Sequence, residues 1–217
     1  MDTRKTFLVL TMMAGLFCLF DGNLPAAENK VVLDEQFSEI NTDNWEGINI
    51  PERSSIKDGA LSLNFENTEM RITSYDMFKY CELEAPVRYT QPFKQKVYYY
   101  FGLMDRKPWT EGRPGNGISF NVFNGTVVLQ AGRGEEFPGK FLQLSVFKPV
   151  VNQWYVYKIS WQPKKLEVFV DGKSCGFTED PALIPQKYMP VYIDAVSEQN
   201  AGPVGYEIDY LKVTTQE

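Results

Sequence analysis

Residues 152–172, NQWYVYKISWQPKKLEVFVDG, show the clearest β-hairpin pattern in the sequence. Apolar residues recur with a period of two on both sides of a break at Pro163, which is the spacing of a strand with one buried face. A free hairpin cannot bury so much apolar surface, so both strands are predicted to lie inside a larger sheet. The residues predicted to face the core are Tyr155, Tyr157, Ile159, Trp161, Leu166, Val168 and Val170.

The rest of the chain continues this pattern of strands and turns. Turn signals recur roughly every eight to twelve residues, and no window has sustained helical periodicity. A chain of 217 residues with this pattern is predicted to form one all-β domain, a two-sheet antiparallel β-sandwich with about a dozen strands or more. Further strands are predicted at residues 31–37, 60–65, 70–74, 78–89, 97–105, 118–123, 126–131, 141–147, 187–196 and 206–214.

The first residues have the layout of a secretory signal peptide. Arg4 and Lys5 precede an apolar run from residue 7 to residue 20, and small residues follow it. The alternative is a membrane anchor, but this run is shorter than the roughly 20 residues that span a bilayer. We therefore predict a signal peptide at residues 1–27 and a sandwich domain at residues 28–217. The protein is expected to be secreted or periplasmic, with no membrane association after cleavage.

Composition excludes several classes of function. The formal net charge is −6 and no basic stripe is visible, which argues against a nucleic-acid partner. Histidine is absent, so Ser-His-Asp and Cys-His nucleophile systems and the usual zinc sites are excluded. The mature chain keeps Cys81 and Cys175, both on predicted strands. A disulfide and two buried thiols both remain open.

Four segments match, in order, a known family. They are DEQF at 34–37 with Trp45; RITS at 71–74 with FKYCELEA at 78–85; the hairpin motif WxxYxIxW at 154–161 with VDG at 170–172; and IDYLKV at 208–213. Together they resemble the concanavalin A-like lectin and glucanase superfamily, and within it the laminarinase-type family 16 glycoside hydrolases. This resemblance implies a curved jelly roll whose concave face holds a saccharide.

The chain departs from that family at the catalytic strand. The family carries a Glu-x-Asp-x-x-Glu motif there, whose glutamates act as nucleophile and acid, and retention needs two carboxyl groups about 5 to 5.5 Å apart. The best-placed segment, GNGISFNV at 115–122, has no acid. Glu207 and Asp209 supply the first half of the motif, but Lys212 replaces the second glutamate. The family's activity is therefore not carried over.

The leading hypothesis is a secreted carbohydrate-binding module that binds a saccharide in a concave groove without hydrolysing it. The alternative is a divergent polysaccharide-degrading enzyme. Such an enzyme would be a glycoside hydrolase with a different acid pair, or a lyase in which Tyr98 or Tyr100 acts with Arg113. Enzymatic activity is thus left open, with binding preferred.

The candidate groove residues lie in two polar loops and on the strand between them. Trp109 offers an aromatic platform beside polar groups, as sugar binding requires. Ser119 and Asn121 share the strand face where the family's acids stand. Arginines among these groups would suit an anionic saccharide. The alternative is an exposed loop with Trp109 packed at the edge of the core. The substrate-binding candidates are Asp105, Arg106, Trp109, Glu111, Arg113, Ser119, Asn121, Arg133 and Glu135.

Two further carboxylate features have competing interpretations. Glu82 and Glu84 share one strand face, which is more typical of a solvated outer surface than of a catalytic pair. The resemblance also implies a structural calcium held by Asp209 with a backbone carbonyl near Gly59, and oxygen ligands suit such a cation. The alternative is that Asp209 bonds a neighbouring backbone amide. No other cofactor is expected.

Overall fold

The described part of the chain forms sixteen strands. The computed structural model describes residues 29–40, 43–48, 53–104, 117–123, 125–132 and 141–216. The strands are β1 (Asn29–Glu35), β2 (Trp45–Ile48), β3 (Ser54–Lys57), β4 (Ala60–Phe65), β5 (Glu69–Phe78), β6 (Cys81–Tyr89), β7 (Val97–Met104), β8 (Gly117–Phe123), β9 (Thr126–Gly132), β10 (Phe141–Phe147), β11 (Trp154–Trp161), β12 (Leu166–Val170), β13 (Lys173–Thr178), β14 (Met189–Ser197), β15 (Val204–Ile208) and β16 (Leu211–Gln216).

These strands form two antiparallel sheets, which confirms the predicted β-sandwich. Sheet A has nine strands, seven of which run in the order β13-β12-β11-β6-β15-β4-β3. The other two are β16, which also pairs with β6, and β1, which pairs with β16. Sheet B has seven strands in the order β10-β9-β8-β7-β14-β5-β2. Most neighbours in these orders are distant in sequence, so the core forms only when the whole domain closes.

The predicted hairpin lies inside sheet A and supplies much of the core. β11 pairs with β12 on one side and with β6 on the other. Tyr157 is fully buried and stacks on Phe120 of sheet B, with ring centroids 4.5 Å apart. Its hydroxyl lies 3.1 Å from that of Tyr89, so neither phenol is buried without a hydrogen bond. The core positions predicted for this hairpin are confirmed.

The predicted strands were incomplete, since β2, β3 and β13 were not predicted and the strand predicted at 70–74 extends to Phe78. Two further errors come from backbone geometry. The strand predicted at 78–89 is interrupted because Tyr80 takes a left-handed conformation, φ 52°, at a turn between β5 and β6. The strand predicted at 206–214 is two strands, because the chain leaves β15 at Asp209 and returns as β16. The Asp209 amide donates to the Pro86 carbonyl over 3.2 Å, at the point where β6 exchanges β15 for β16.

The two cysteines belong to separated strands of sheet A. Cys81 lies on β6 and Cys175 on β13, with β11 and β12 between them. Three strand spacings amount to about 14 Å, whereas the Cα atoms of a disulfide lie within about 7 Å. Both thiols are accordingly free in the structure.

One surface of sheet B is left uncovered by sheet A. Along β7, Phe101 and Leu103 face the core, so Tyr100 and Gly102 alternate to the opposite side. We call this outward surface of sheet B the groove face. β8 crosses it at the position where the family resemblance places the catalytic strand.

Candidate functional site

Polar side chains form two rows across the groove face. Strand register aligns Arg71, Asp194, Tyr100 and Asn121 in the first row, across β5, β14, β7 and β8. The second row aligns Thr73, Tyr192, Gly102, Ser119 and Gln130. Most of these side chains are buried although they point away from sheet A. The centre of the groove face is therefore shielded from solvent, and we call these two rows the floor.

An acidic cluster, consisting of Glu69, Arg71, Tyr192 and Asp194, occupies one part of this floor. The Arg71 Nη2 atom contacts Glu69 Oε1 and also lies 3.7 Å from Asp194 Oδ2. The Tyr192 hydroxyl donates a 2.6 Å hydrogen bond to the same Asp194 oxygen. The Arg71 guanidinium carbon lies 5.5 Å from the centroid of the Tyr192 ring. A single guanidinium thus holds two carboxylates.

Burial changes the protonation of this cluster. It raises the pKa of Asp194 to about 7, and the charge of Glu69 acts in the same direction. The hydrogen bond from Tyr192 and the charge of Arg71 oppose this increase. Burial also raises the pKa of Tyr192 and of Tyr100, so both phenols stay neutral donors. Asp194 can therefore exchange a proton near neutral pH.

Several floor atoms lack the hydrogen bonds that burial normally demands. Five buried side-chain atoms have no partner within the described part of the chain, and three of them lie in the first row. These three are Arg71 Nε, Asn121 Oδ1 and Asp194 Oδ1. An unsatisfied buried polar atom costs about 1 to 3 kcal/mol, so three such atoms in one row mark this surface as the candidate binding site.

The predicted residues on β8 lie where the sequence placed them. Ser119 and Asn121 both occupy the groove face and are buried. The Asn121 amide nitrogen donates to Gln130 Oε1 on β9, which fixes the amide and turns its oxygen away from that partner. Beside them Gly102 lacks a side chain because a Cβ there would lie 2.0 Å from the Ile118 carbonyl oxygen.

The other predicted groove residues lie outside the described residues, so their roles remain predictions. They are Asp105, Arg106, Trp109, Glu111, Arg113, Arg133 and Glu135.

Glu82 and Glu84 lie on the opposite side of the molecule. The alternation of β6 places both on the outer face of sheet A. Glu82 pairs with the Lys158 ammonium at 2.7 Å, and Glu84 accepts a 2.8 Å hydrogen bond from the Tyr210 hydroxyl. Their surface role, which the sequence favoured, agrees with these contacts.

The predicted calcium residues are neighbours in the fold. Ile208 pairs with Leu61, so Asp209 leaves sheet A beside the turn that contains Gly59. The Asp209 side chain is exposed, and no group of three or more acidic, cysteine or histidine side chains occurs among the described residues. A cation here would depend on the Asp209 carboxylate and backbone carbonyls. This placement fits the expected site, and calcium binding remains a prediction.

Asp194 was not among the residues predicted from the sequence. Residues 190–196 read PVYIDAV, and an aspartate inside an apolar strand is the one available signal of a buried carboxylate. Its partners could not be found in the same way, because Glu69 and Arg71 are more than a hundred residues away along the chain. Their meeting depends on the β5–β14 pairing.

The fold is that of the concanavalin A-like jelly rolls, as solved structures show. A Bacillus licheniformis β-glucanase matches with a TM-score of 0.66 and 16% identity, over 85% of this chain and 98% of that one. The endo-β-1,3-glucanase of Pyrococcus furiosus matches with a TM-score of 0.67 and 15% identity, over 87% and 95%. LamA of Zobellia galactanivorans, in complex with laminaritriose and laminaritetraose, matches with a TM-score of 0.65 and 14% identity, over 86% and 99%.

Neither a protein-family model nor a curated protein sequence matches this chain. The structural neighbours are thus laminarinases and β-glucanases of family 16, at identities that establish a common fold alone. Within the described ranges, no helix has the length and apolar character needed to cross a membrane.

Proposed function

We propose that this protein binds a saccharide on the groove face of sheet B without cleaving it by the family 16 mechanism. The observation that carries this proposal is that Arg71 Nε, Asn121 Oδ1 and Asp194 Oδ1, all in the first row, have no hydrogen-bond partner among the residues that the structure describes. A sugar hydroxyl both donates and accepts, so adjacent hydroxyls of one ring can satisfy a guanidinium donor and a carboxylate acceptor together.

The catalytic strand of the resembled family supports binding over cleavage. β8 carries Ser119 and Asn121 in place of acids, so it offers hydrogen bonds but no carboxylate nucleophile. LamA, with the same fold, holds laminaritriose and laminaritetraose. If the predicted signal peptide directs export, the protein would meet polysaccharides outside the cytoplasm.

The acid pair that does occupy the groove face is poorly arranged for hydrolysis. Glu69 and Asp194 contact the same Arg71 nitrogen, so their near oxygens lie within roughly 6 Å, close to the spacing of a retaining pair. However, a glycosidase needs the anomeric carbon between its two carboxyls, and here the guanidinium contacts both. This arrangement favours a fixed binding surface.

One observation nevertheless favours an enzyme as the second candidate. Asp194 has a pKa near 7 beside another carboxylate, as a general acid requires. Release of reducing ends, and absorbance of unsaturated products, would be measured over a panel of polysaccharides. We expect no turnover. Turnover that the substitution Asp194→Asn abolishes would overturn binding without cleavage.

Binding itself is tested with a glycan array, followed by calorimetry on the best ligand. Asn121→Leu removes a floor acceptor, and Asn64→Leu is the matched control because Asn64 is exposed on β4 of sheet A. We expect about a tenfold weaker affinity for Asn121→Leu, the value of one lost hydrogen bond of about 1.4 kcal/mol. Equal affinities in both variants would contradict the groove-face site.

A further inference from the structure

A pocket of about 200 Å³ lies where β6 begins and β11 ends. It is lined by residues of sheet A and of the turns that follow β5 and β11, so it is separate from the groove face on sheet B. All of its lining residues belong to the described part of the chain. A cavity of roughly 150 Å³ holds benzene, so this pocket has room for one six-membered ring that carries substituents.

Trp161 forms one wall of this pocket and buries an unused hydrogen-bond donor. The residue is 1% exposed, and its indole Nε1 atom has no hydrogen-bond partner among the described residues. Trp45 shows the usual arrangement, since its Nε1 atom donates to Glu35 Oε2 over 3.0 Å. A buried donor without a partner costs about 1 to 3 kcal/mol. An oxygen atom of a ligand would remove this cost.

The second aromatic wall, Tyr80, is held in place by the protein itself. Its ring packs edge-on against Trp161, with centroids 5.5 Å apart and an interplanar angle of 72°. Its hydroxyl donates a 2.9 Å hydrogen bond to Gln186 Oε1, and the Lys79 ammonium lies 4.8 Å from the centroid of its ring. Binding therefore does not have to order this side chain, which favours affinity.

Polar side chains complete the lining of the pocket. Strand register places Ser160 and Thr214 on either side of Glu82, across β11, β6 and β16. Gln162 adds a side-chain amide just after β11. Hydroxyl and amide groups both donate and accept hydrogen bonds, whereas the Glu82 carboxylate already pairs with Lys158 at 2.7 Å. Aromatic walls beside such groups suit a ring that has both C–H and hydroxyl surfaces.

We propose that this pocket is a second saccharide site, which binds a single sugar unit such as the end of a chain. An oxygen of the sugar accepts a hydrogen bond from Trp161 Nε1, and its C–H groups contact Tyr80. Ser160, Gln162 and Thr214 bond its hydroxyls. Because the groove face is on the other sheet, each protein molecule would hold two saccharides.

The test follows the indole N–H signal of Trp161 by NMR, in protein that is isotope-labelled at its tryptophan nitrogens. The single-ring probes are glucose, galactose, mannose, N-acetylglucosamine and glucuronate. Benzyl alcohol is the matched aromatic probe with one hydroxyl. We expect a saturable downfield shift of the Trp161 proton with at least one sugar, and no such shift with benzyl alcohol.

Two substitutions test the polar contacts with the sugar that binds best. Gln162→Leu and Thr214→Val should each weaken its affinity about tenfold, the value of one hydrogen bond of about 1.4 kcal/mol. Gln153→Leu is the matched control, because Gln153 is also exposed but lies just before β11, at the opposite end of the same strand. Its affinity should equal that of the wild type. Thermal melts verify that every variant is folded.

Several outcomes would overturn the second site. They are no shift with any sugar, a stronger response to benzyl alcohol than to every sugar, and equal affinities in Gln162→Leu, Thr214→Val and Gln153→Leu.

The groove-face variant Asn121→Leu separates this inference from the proposed function. It should leave the Trp161 titration unchanged, and a parallel loss would mean that one site produces both effects, which also overturns the second site. An intact Trp161 titration in a protein whose affinity for oligosaccharides does not respond to Asn121→Leu would overturn the proposed function and leave the second site standing.

Discussion

Substituting Asp194 with asparagine should remove a specific pH dependence of stability. Folding raises the pKa of this carboxyl from its ordinary value of 3.8 to about 7, chiefly because the side chain is buried. The folded protein therefore keeps a proton that the unfolded chain releases between these two values. Stability falls as the pH rises through this window and levels off above about pH 7. The Asp194→Asn variant has no such proton to lose.

The size of the effect follows from the shift. One pKa unit corresponds to about 1.4 kcal/mol, and Asp194 is half ionised at about pH 7, so between pH 5 and pH 7 the wild-type protein should lose about 2 kcal/mol relative to Asp194→Asn. Urea unfolding at several pH values gives the free energy of unfolding of both proteins as a function of pH. Subtracting one curve from the other cancels the contributions of all ionisable groups that the two proteins share. Glu84→Gln serves as the control, because Glu84 lies on the outer face of sheet A.

Two results would refute this reasoning. If the unfolding free energies of the wild type and Asp194→Asn stay parallel from pH 5 to pH 8, the carboxyl is not held in a desolvating site. If the unfolding free energy of Glu84→Gln differs from that of the wild type with the same pH dependence as that of Asp194→Asn, the effect reflects net charge and not the burial of Asp194.

Three other predictions concern the fold and its predicted cation. Gly102→Ala should destabilise the domain by about 3 kcal/mol or more, because the new methyl group would clash with the β8 backbone. The control Gly172→Ala, at a turn with open space around it, should cost about 1 kcal/mol. Equal losses of stability in urea unfolding would contradict the close contact between β7 and β8. Alkylation of the unfolded mature chain without reductant should add two groups, one each at Cys81 and Cys175, by mass spectrometry; an unmodified chain would indicate a disulfide. Calcium at a hundred times its dissociation constant should stabilise the wild type by about 2.7 kcal/mol in thermal melts but not Asp209→Asn, and an identical response in both would exclude the site.

The fold was predictable because strand alternation is a local property. The hairpin at 152–172 shows its buried face in its own sequence, and the structure buries those side chains. Boundaries were less predictable where a single backbone angle decides them. Tyr80 gives no turn signal in the sequence, yet its left-handed conformation separates β5 from β6.

The site was predictable only where one strand carries it. Ser119 and Asn121 were found because they lie two apart on β8, so alternation places them together. The acidic cluster was missed because Glu69 and Arg71 reach Asp194 only through the pairing of β5 with β14. The apolar residues around Asp194 in the sequence also gave no indication of the hydrogen-bond partners that a buried carboxylate requires.

The most direct measurement is a crystal structure with the best oligosaccharide from the glycan array. We predict sugar donors at hydrogen-bond distance, about 2.6 to 3.2 Å, from Asp194 Oδ1 and Asn121 Oδ1 on the outward surface of sheet B. Sugar held on sheet A alone, or a sugar on sheet B that leaves both of these oxygens unpartnered, would contradict this prediction.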